Sequence, residues 1–190
     1  MDDAAAAGAG SPGLSADPRF AADAMLGRLA RWLRVLGYDT FYDIAVADPV
    51  LVRLAHAEHR LLLTRDRHLL RELRPERALE IRQDDPLQQL HAVATGLALQ
   101  PPTELFTRCL LCNAPLQLLD ADQAQPLLPA GVRDVPGPVR RCPQCGRLYW
   151  EGSHVRRMRT ALERVLPGWV SNRESGTITQ TKAPVPGLPR

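Results

Sequence analysis

The stretch RFAADAMLGRLARWLRVLG, residues 19–37, decides the fold. Its apolar run Phe20-Ala21-Ala22 predicts a short strand, and Asp23 follows at once. Apolar side chains then recur along one face of a helix at positions 26, 29, 30, 33 and 36, and Gly37 suits a left-handed helix end. Asp23 is therefore expected at the carboxyl end of a strand, where open α/β sheets bind ligands. A simpler interpretation is that Asp23 only caps the helix.

The same alternation of strand and helix continues to about residue 102. Apolar or β-branched runs predict strands at 38–42, 60–64 and 78–81, and helical patterns predict helices at 48–59, 68–73 and 86–97. The second helix is expected to begin with Asp48 as its N-cap and Pro49 in its first turn. Connections this short between alternating elements predict an α/β fold with a parallel sheet flanked by helices.

The chain divides by composition into four segments. Residues 1–18 and 167–190 have little to bury and are expected to be a disordered leader and tail. The α/β unit spans 19–104, and 105–166 holds all four cysteines and a basic helix, for which we expect a separate hydrophobic core. No apolar run approaches the roughly 18 residues of a membrane span, and the N-terminus lacks a signal pattern. We expect a cytoplasmic protein that does not bind membranes, and its protein partners are unknown.

The four cysteines form two C-x2-C pairs, Cys109 with Cys112 and Cys142 with Cys145. Two such pairs supply four thiolates at the spacing of a structural Zn²⁺ site, and Gly146 suits the turn that follows the second pair. Redox-active dithiols and unpaired thiols are the alternatives. A closed four-cysteine site leaves no open position for chemistry, so we expect this zinc to be structural.

Aspartates at strand ends are the candidate catalytic residues. Asp23, Asp66 and the pair Asp84-Asp85 each follow a predicted strand, and Asp48 opens a helix that could reach the same edge. Converging carboxylates repel one another and commonly hold a divalent cation, so we expect Mg²⁺ or Mn²⁺ here. Asp48 and Asp85 precede proline and have the alternative role of helix caps.

Arginines near these acids are candidate phosphate ligands, since a guanidinium binds phosphate through two parallel hydrogen bonds. The candidates are Arg28, Arg31, Arg65 and Arg67, and the basic helix at 154–164 is a possible second phosphate contact. Taken one at a time, each could equally be a solvated surface residue.

Lysine is nearly absent, and this narrows the chemistry. Lys182 is the only lysine, so aspartate-based phosphatases and phosphoacceptors, which rely on a nearby lysine, are excluded. The sequence also lacks a P-loop, a G-x-G-x-x-G loop and an H-E-x-x-H motif. A metal-dependent nuclease needs only the carboxylates and is the remaining candidate.

Four segments together resemble the Mut-seven carboxy-terminal RNase family: DAMLGRLARWLRVLGYDT at 23–40, RLLLTRD at 60–66, RCLLCNAPL at 108–116 and RCPQCGRLYWEGSH at 141–154. The resemblance implies a PIN-like nuclease domain followed by a C-terminal zinc ribbon, and metal-dependent ribonuclease activity. It assigns Asp23 to the first-strand acid, Asp66 to the acid of a T-x-D turn and Asp48 to the acid at the start of the preceding helix. Many PIN domains carry a further acid where this chain has His68, which makes Asp84 a possible substitute.

The preferred hypothesis is a Mg²⁺- or Mn²⁺-dependent ribonuclease acting on RNA. One alternative is an RNA-binding adapter without catalysis, in which the ribbon and the arginines bind RNA. Another is a protein-interaction module built on the zinc ribbon.

Overall fold

A four-stranded parallel sheet lies at the centre of the protein. The structure, a computed structural model, describes residues 18–129 and 137–170. The strands are β1 (Phe20–Ala22), β2 (Thr40–Tyr42), β3 (Leu61–Thr64) and β4 (Ala78–Glu80), in the order β2-β1-β3-β4, and every neighbouring pair is parallel. The predicted α/β fold with a parallel sheet is confirmed.

Helices cover both faces of this sheet. The described residues form six helices, of which all but α5 pack on this sheet: α1 (Gly27–Val35), α2 (Asp48–Ala57), α3 (Arg67–Leu73), α4 (Pro86–Gly96), α5 (Ala121–Ala124) and α6 (Ser153–Val165). Because successive side chains of a strand point to opposite faces, Phe20 and Ala22 join a core with α1, α4 and α6. Ala21 joins a smaller core with α2 and α3 on the other face. No helix in the described ranges is long and apolar enough to cross a membrane.

The cysteine-containing region forms a three-stranded antiparallel sheet, which we call the ribbon. Its strands are β5 (Gln117–Leu119), β6 (Val139–Arg141) and β7 (Leu148–Tyr149), in that order. A small core of Ala124, Leu128 and Val139 lies beneath it. The ribbon therefore has a core of its own, as expected, but only a small one.

The expectation of fully separate cores is wrong. The main core of the α/β unit also contains Leu105 and Phe106 from the start of the cysteine region, and Leu162 and Leu166 from the end of α6. These four side chains are at most 7% exposed. Helix α6 follows the ribbon in the chain and packs back against α4. Segments from both sides of the predicted boundary at residue 104 therefore form one core.

Two predicted boundaries also need correction. Helix α2 begins at Asp48, its N-cap is Ala47, and it has no side-chain cap, so the predicted N-cap role of Asp48 is wrong. Asp48 lies in the first turn instead, where its charge is favourable beside the helix dipole. The tail predicted from residue 167 begins too early, since Trp169 and Val170 still pack against the main core. Residues 1–17 of the predicted leader and 171–190 of the predicted tail lie outside the described residues.

Candidate active site and metal centre

Asp23 lies at the carboxyl edge of the sheet and is buried, with 3% of its surface exposed. Strand β1 ends beside β3, because Ala22 is in register with Leu63. This register places Asp23 next to the turn that follows β3. The Asp23 carboxylate accepts hydrogen bonds from the backbone N–H groups of Met25 at 2.8 Å and Arg65 at 3.0 Å, and from the Thr64 hydroxyl. Asp23 is therefore a cap, as the simpler interpretation held, and it also lies at the carboxyl edge of the sheet.

Thr64 links the two aspartates that the sequence favoured. Its fully buried hydroxyl donates to the Asp23 carboxylate and accepts from the Asp66 N–H at 2.9 Å. The Asp66 carboxylate in turn caps α3, accepting from the N–H groups of His68 at 2.7 Å and Leu69 at 3.2 Å. Both of these bonds go to Asp66 Oδ1, so Oδ2 accepts no hydrogen bond from the described residues. We call Asp23, Thr64 and Asp66 the acid edge.

The other predicted acids lie further from this edge or have other partners. Asp84 is 91% exposed at its side chain and forms an ion pair with Arg65. Asp85 caps α4, accepting from the Leu87 and Gln88 N–H groups at 2.9 and 3.0 Å. Asp48 is exposed in α2. Across residues 18–129 and 137–170, no three carboxylates approach within 4.8 Å of one another. The four-aspartate site stays a prediction.

Asp43 is an edge residue that the sequence reasoning missed. It directly follows β2, and Tyr42 is in register with Ala22, so Asp43 and Asp23 end neighbouring strands at one edge. Asp43 is exposed and accepts a hydrogen bond from the Ala45 N–H at 2.9 Å. The rule that selected Asp23 and Asp66, an acid immediately after a strand, also selects this position.

The predicted phosphate ligands fall into two groups. Arg65 pairs with Asp84, and Arg67 donates to Glu80 at 2.8 Å, so these two guanidiniums already have acidic partners. Arg28 and Arg31 are exposed on α1 and form no ion pair with any described residue. Of these four predicted ligands, Arg28 and Arg31 are therefore the two that an incoming phosphate could reach without first breaking an ion pair with a described residue.

The four cysteines form a metal-binding group. Their sulfurs all lie within 4.8 Å of one another, with Cys109 Sγ 3.6 Å from Cys145 Sγ and Cys112 Sγ 3.4 Å from Cys142 Sγ. Four thiolates bound tetrahedrally at about 2.3 Å from an ion are about 3.8 Å apart. The sulfurs are therefore already close to the positions that a tetrahedral ion requires.

Both cysteine pairs adopt the same backbone turn, which we call a knuckle. In the first, the Asn113 N–H donates to the Cys109 carbonyl at 3.0 Å; in the second, the Gly146 N–H donates to the Cys142 carbonyl at 3.0 Å. Asn113 and Gly146 both have positive φ, at 66° and 72°. The predicted need for a permissive residue at Gly146 is confirmed.

The thiols differ in acidity because they crowd one another. Burial raises the pKa of the Cys109 thiol, but hydrogen bonds from the Cys112 N–H and the Tyr149 hydroxyl lower it to about 6. Burial and the neighbouring sulfurs raise the pKa of Cys112 to about 12. A bound cation would favour the thiolate form of these clustered sulfurs, as in a closed metal site.

Arg34 and Asn113 fasten the first knuckle to the α/β unit. Arg34 is 2% exposed, and its guanidinium donates to the carbonyls of Leu110 and Leu111 at 3.0 and 2.8 Å and to the Thr40 carbonyl. The Asn113 side chain accepts from the Thr40 N–H at 3.1 Å. The metal centre is therefore attached to β2 and α1 through buried hydrogen bonds.

The family model of the Mut7-C RNAse domain matches residues 18–162, a range that contains both the acid edge and the four cysteines. This chain belongs to the Mut7-C RNAse domain family. The resemblance read from the sequence is thereby confirmed. For a Mut7-C domain, the family description indicates an RNase-type function, with RNA as the substrate. Searches of curated proteins and of solved structures found no match to the chain.

Proposed function

We propose that this Mut7-C domain is a divalent-metal-dependent ribonuclease whose catalytic groups lie on the acid edge. The observation that carries the proposal is the Thr64 hydroxyl, which joins the Asp23 carboxylate to the Asp66 backbone at the ends of two adjacent parallel strands. This turn fixes both aspartates relative to each other before any substrate binds.

Mg²⁺ and Mn²⁺ fit this edge by donor chemistry. Both prefer oxygen ligands, and Mg²⁺ is commonly held by only one or two carboxylates together with substrate phosphate. Asp66 Oδ2 and the remaining lone pairs of Asp23 supply such ligands, so a third converging carboxylate is not required. When bound, such an ion makes water a stronger nucleophile and polarises the phosphoryl oxygen.

The surrounding side chains have supporting roles in this proposal. Thr64 and the Arg65 N–H orient the Asp23 carboxylate. Asp84 and Asp48 are proposed as outer acids, Asp84 through its ion pair with Arg65. An RNA phosphate could replace Asp84 as the partner of the Arg65 guanidinium, because an ion pair with an exposed carboxylate contributes little stability.

The ion in the cysteine centre is proposed to be structural Zn²⁺. Two C-x2-C knuckles with four clustered sulfurs match the four-thiolate sites that zinc prefers. The centre lies at the junction of the ribbon with β2 and α1, so its role is to hold the ribbon in place.

The proposal is tested by incubating the purified protein with single-stranded RNA and Mn²⁺. Asp66→Asn should reduce cleavage by more than about 100-fold, since even the outer partners of a metal ligand typically matter 10–100-fold. The matched control is Asp85→Asn, which alters an N-cap with the same two hydrogen bonds at the start of α4. Asparagine is itself a good N-cap, so both variants should keep nearly full stability.

The alternative function is RNA binding without catalysis. It is favoured by the absence of any three close carboxylates in the described residues. Wild-type protein that binds RNA in a salt-dependent way but leaves it intact with Mn²⁺ would establish this alternative. Equal loss of cleavage in Asp66→Asn and Asp85→Asn would also contradict an active site at Asp66.

A further inference from the structure

A groove of about 540 Å³ lies between α1, the two knuckles and the start of α6. Its walls carry three arginines, Arg28, Arg31 and Arg147, and two tryptophans, Trp32 and Trp150. Among the residues that the structure describes, no aspartate or glutamate lines it. The groove thus combines aromatic surface with one sign of charge. We call it the arginine–tryptophan groove.

The arginines of this groove are uncompensated. Arg28, Arg31 and Arg147 are exposed, and none forms an ion pair with a described residue. Arg65 and Arg67 at the acid edge, by contrast, are both paired with acids. A ligand entering the groove therefore meets three guanidiniums whose hydrogen-bond donors are directed to solvent, and this arrangement suits a chain of phosphates.

The tryptophans are held in place while remaining partly accessible. Trp32 packs on the main core and Trp150 on the ribbon core, and each is only half-buried. Tyr149 also lines the groove, but the first knuckle already engages its hydroxyl, which hydrogen-bonds to Cys109 Sγ at 3.1 Å and accepts from the Leu110 N–H at 3.1 Å. The two indoles are thus the aromatic surfaces available for stacking.

The groove begins close to the acid edge. Helix α1 starts at Gly27, directly after the single 3₁₀ turn Ala24–Leu26 that Asp23 caps, so Arg28 lies in the first turn of α1. From there the lining runs along α1 to Trp32 and across to Arg147 and Trp150 on the ribbon. A polymer with one residue at the acid edge could continue into the groove.

We propose that the arginine–tryptophan groove binds a single-stranded segment of the RNA substrate, with bases stacked on Trp32 and Trp150 and phosphates on the three arginines. The inference rests on the proposed function for the identity of its ligand. Sequence-tolerant single-strand sites combine stacking platforms with a positive groove in this way. Duplex RNA is disfavoured, because its bases are already stacked within the helix.

The test measures binding separately from cleavage. Asp66→Asn protein, in buffer without added Mg²⁺ or Mn²⁺ and without a chelator, is titrated with a fluorescent single-stranded RNA of about 12 nucleotides, within the usual site size of such grooves. Adding Trp32→Leu or Trp150→Leu should weaken binding roughly 5- to 100-fold, and the corresponding phenylalanine variants should retain most of the affinity. Circular dichroism and metal content establish that each variant is folded.

The arginines are tested through salt dependence. Arg31→Gln together with Arg147→Gln should reduce the slope of log affinity against log salt by about 1.4, or about 0.7 for each lost phosphate contact. The matched control is Arg53→Gln with Arg71→Gln, two exposed arginines on α2 and α3 that form no ion pair with a described residue. The control should leave the slope unchanged, because these helices cover the opposite face of the sheet.

The outcomes separate this inference from the proposed nuclease. The proposed RNA site is wrong if folded leucine variants bind RNA as tightly as the parent protein. It is also wrong if the protein binds duplex and single-stranded RNA with equal affinity. An acidic peptide that displaces RNA and binds independently of both tryptophans overturns it as well. If the groove variants lose RNA affinity while wild-type protein does not cleave RNA with Mn²⁺, the groove is supported and the nuclease fails.

Discussion

At the residue scale, Asp39 is a junction of hydrogen bonds that lies outside every predicted site. Its carboxylate accepts hydrogen bonds from Arg60 at 2.6 Å, Asn113 at 2.7 Å and Arg19 at 3.2 Å. Burial raises its pKa, but hydrogen bonds from Arg60 and Asn113 and the charges of Arg60 and Arg108 lower it to about 2. Asp39 thus joins the edge strand β2 to both β3 and the first knuckle.

The lowered pKa predicts how stability depends on pH. A carboxylate with a depressed folded pKa stabilises the fold fully above its unfolded pKa, here 3.8, and this contribution is lost as the pH falls towards 2. Asp39→Asn should therefore cost on the order of 2 kcal/mol at pH 7. Urea unfolding of both proteins should show the difference shrinking between pH 4 and pH 2. A difference independent of pH would mean that Asp39 acts only through packing.

The sequence predicted residues whose roles follow from local rules. The cysteine spacing identified the metal centre, and acids after strands identified Asp23 and Asp66. Position 34 is not among the apolar positions of α1, which indicates an exposed arginine, yet Arg34 is buried. Its partners are backbone carbonyls 76 and 77 residues away, and no side-chain pattern marks a carbonyl as an acceptor. Asp39 was missed for the same reason, because its partners come together only in the folded chain.

At the element scale, the two knuckles share one turn but use it differently. Gly146 fills the left-handed position of the second knuckle, and a side chain there would meet nothing within 4 Å. Asn113 fills the same position in the first knuckle, and its side chain bonds to Thr40 and Asp39. Asparagine tolerates positive φ better than most residues, so the first knuckle gains an attachment at little backbone cost.

Two single substitutions should distinguish the effect of the turn geometry from that of the hydrogen bonds that attach the first knuckle to the α/β unit. Asn113→Gly keeps the permitted backbone but removes both hydrogen bonds, one of them to a charged group, and should cost about 1–3 kcal/mol. Gly146→Asn should be nearly neutral, within about 0.5 kcal/mol. Both should retain one metal ion per chain by elemental analysis, since no cysteine changes. Equal destabilisation by the two substitutions would show that the Asn113 side chain contributes nothing to docking.

Helix α6 illustrates what periodicity leaves undecided. The sequence predicted a basic helix and a possible phosphate contact, and the helix is present, with Arg156, Arg157 and Arg164 exposed. Its opposite side carries Leu162, which is fully buried. The basic pattern of α6 was visible in the sequence. Its apolar side packs on α4, some 70 residues earlier in the chain. No local sequence pattern identifies so distant a packing partner.

At the scale of the whole molecule, the amino-acid composition changes at residue 104, but the main core extends across this boundary. The main core needs Leu105 and Phe106 from just beyond the boundary and Leu162 and Leu166 from the end of α6. At about 1.5–3 kcal/mol for each buried side chain, these four account for up to about 6–12 kcal/mol. That is comparable to the whole stability of a typical domain.

Two truncations test this dependence. A chain of residues 18–170 should unfold in one cooperative transition at the temperature of the full protein, because it retains every core residue that the structure describes. A chain of residues 18–104 should lack a cooperative transition and bind a hydrophobic dye, as expected when packing is incomplete. Thermal melts followed by circular dichroism distinguish the two. A folded 18–104 chain, stable to within about 2 kcal/mol of 18–170, would contradict a shared core.

The late position of Leu162 and Leu166 also matters while the protein is being made. At roughly 5–20 residues per second, a ribosome needs about 3–12 s to extend the chain from residue 104 to residue 162. During that interval the apolar surfaces of α1 and α4 stand without the helix that covers them. Nascent chains are therefore most exposed to aggregation and to chaperone binding in these seconds. Slower synthesis of residues 105–161 would lengthen that risk.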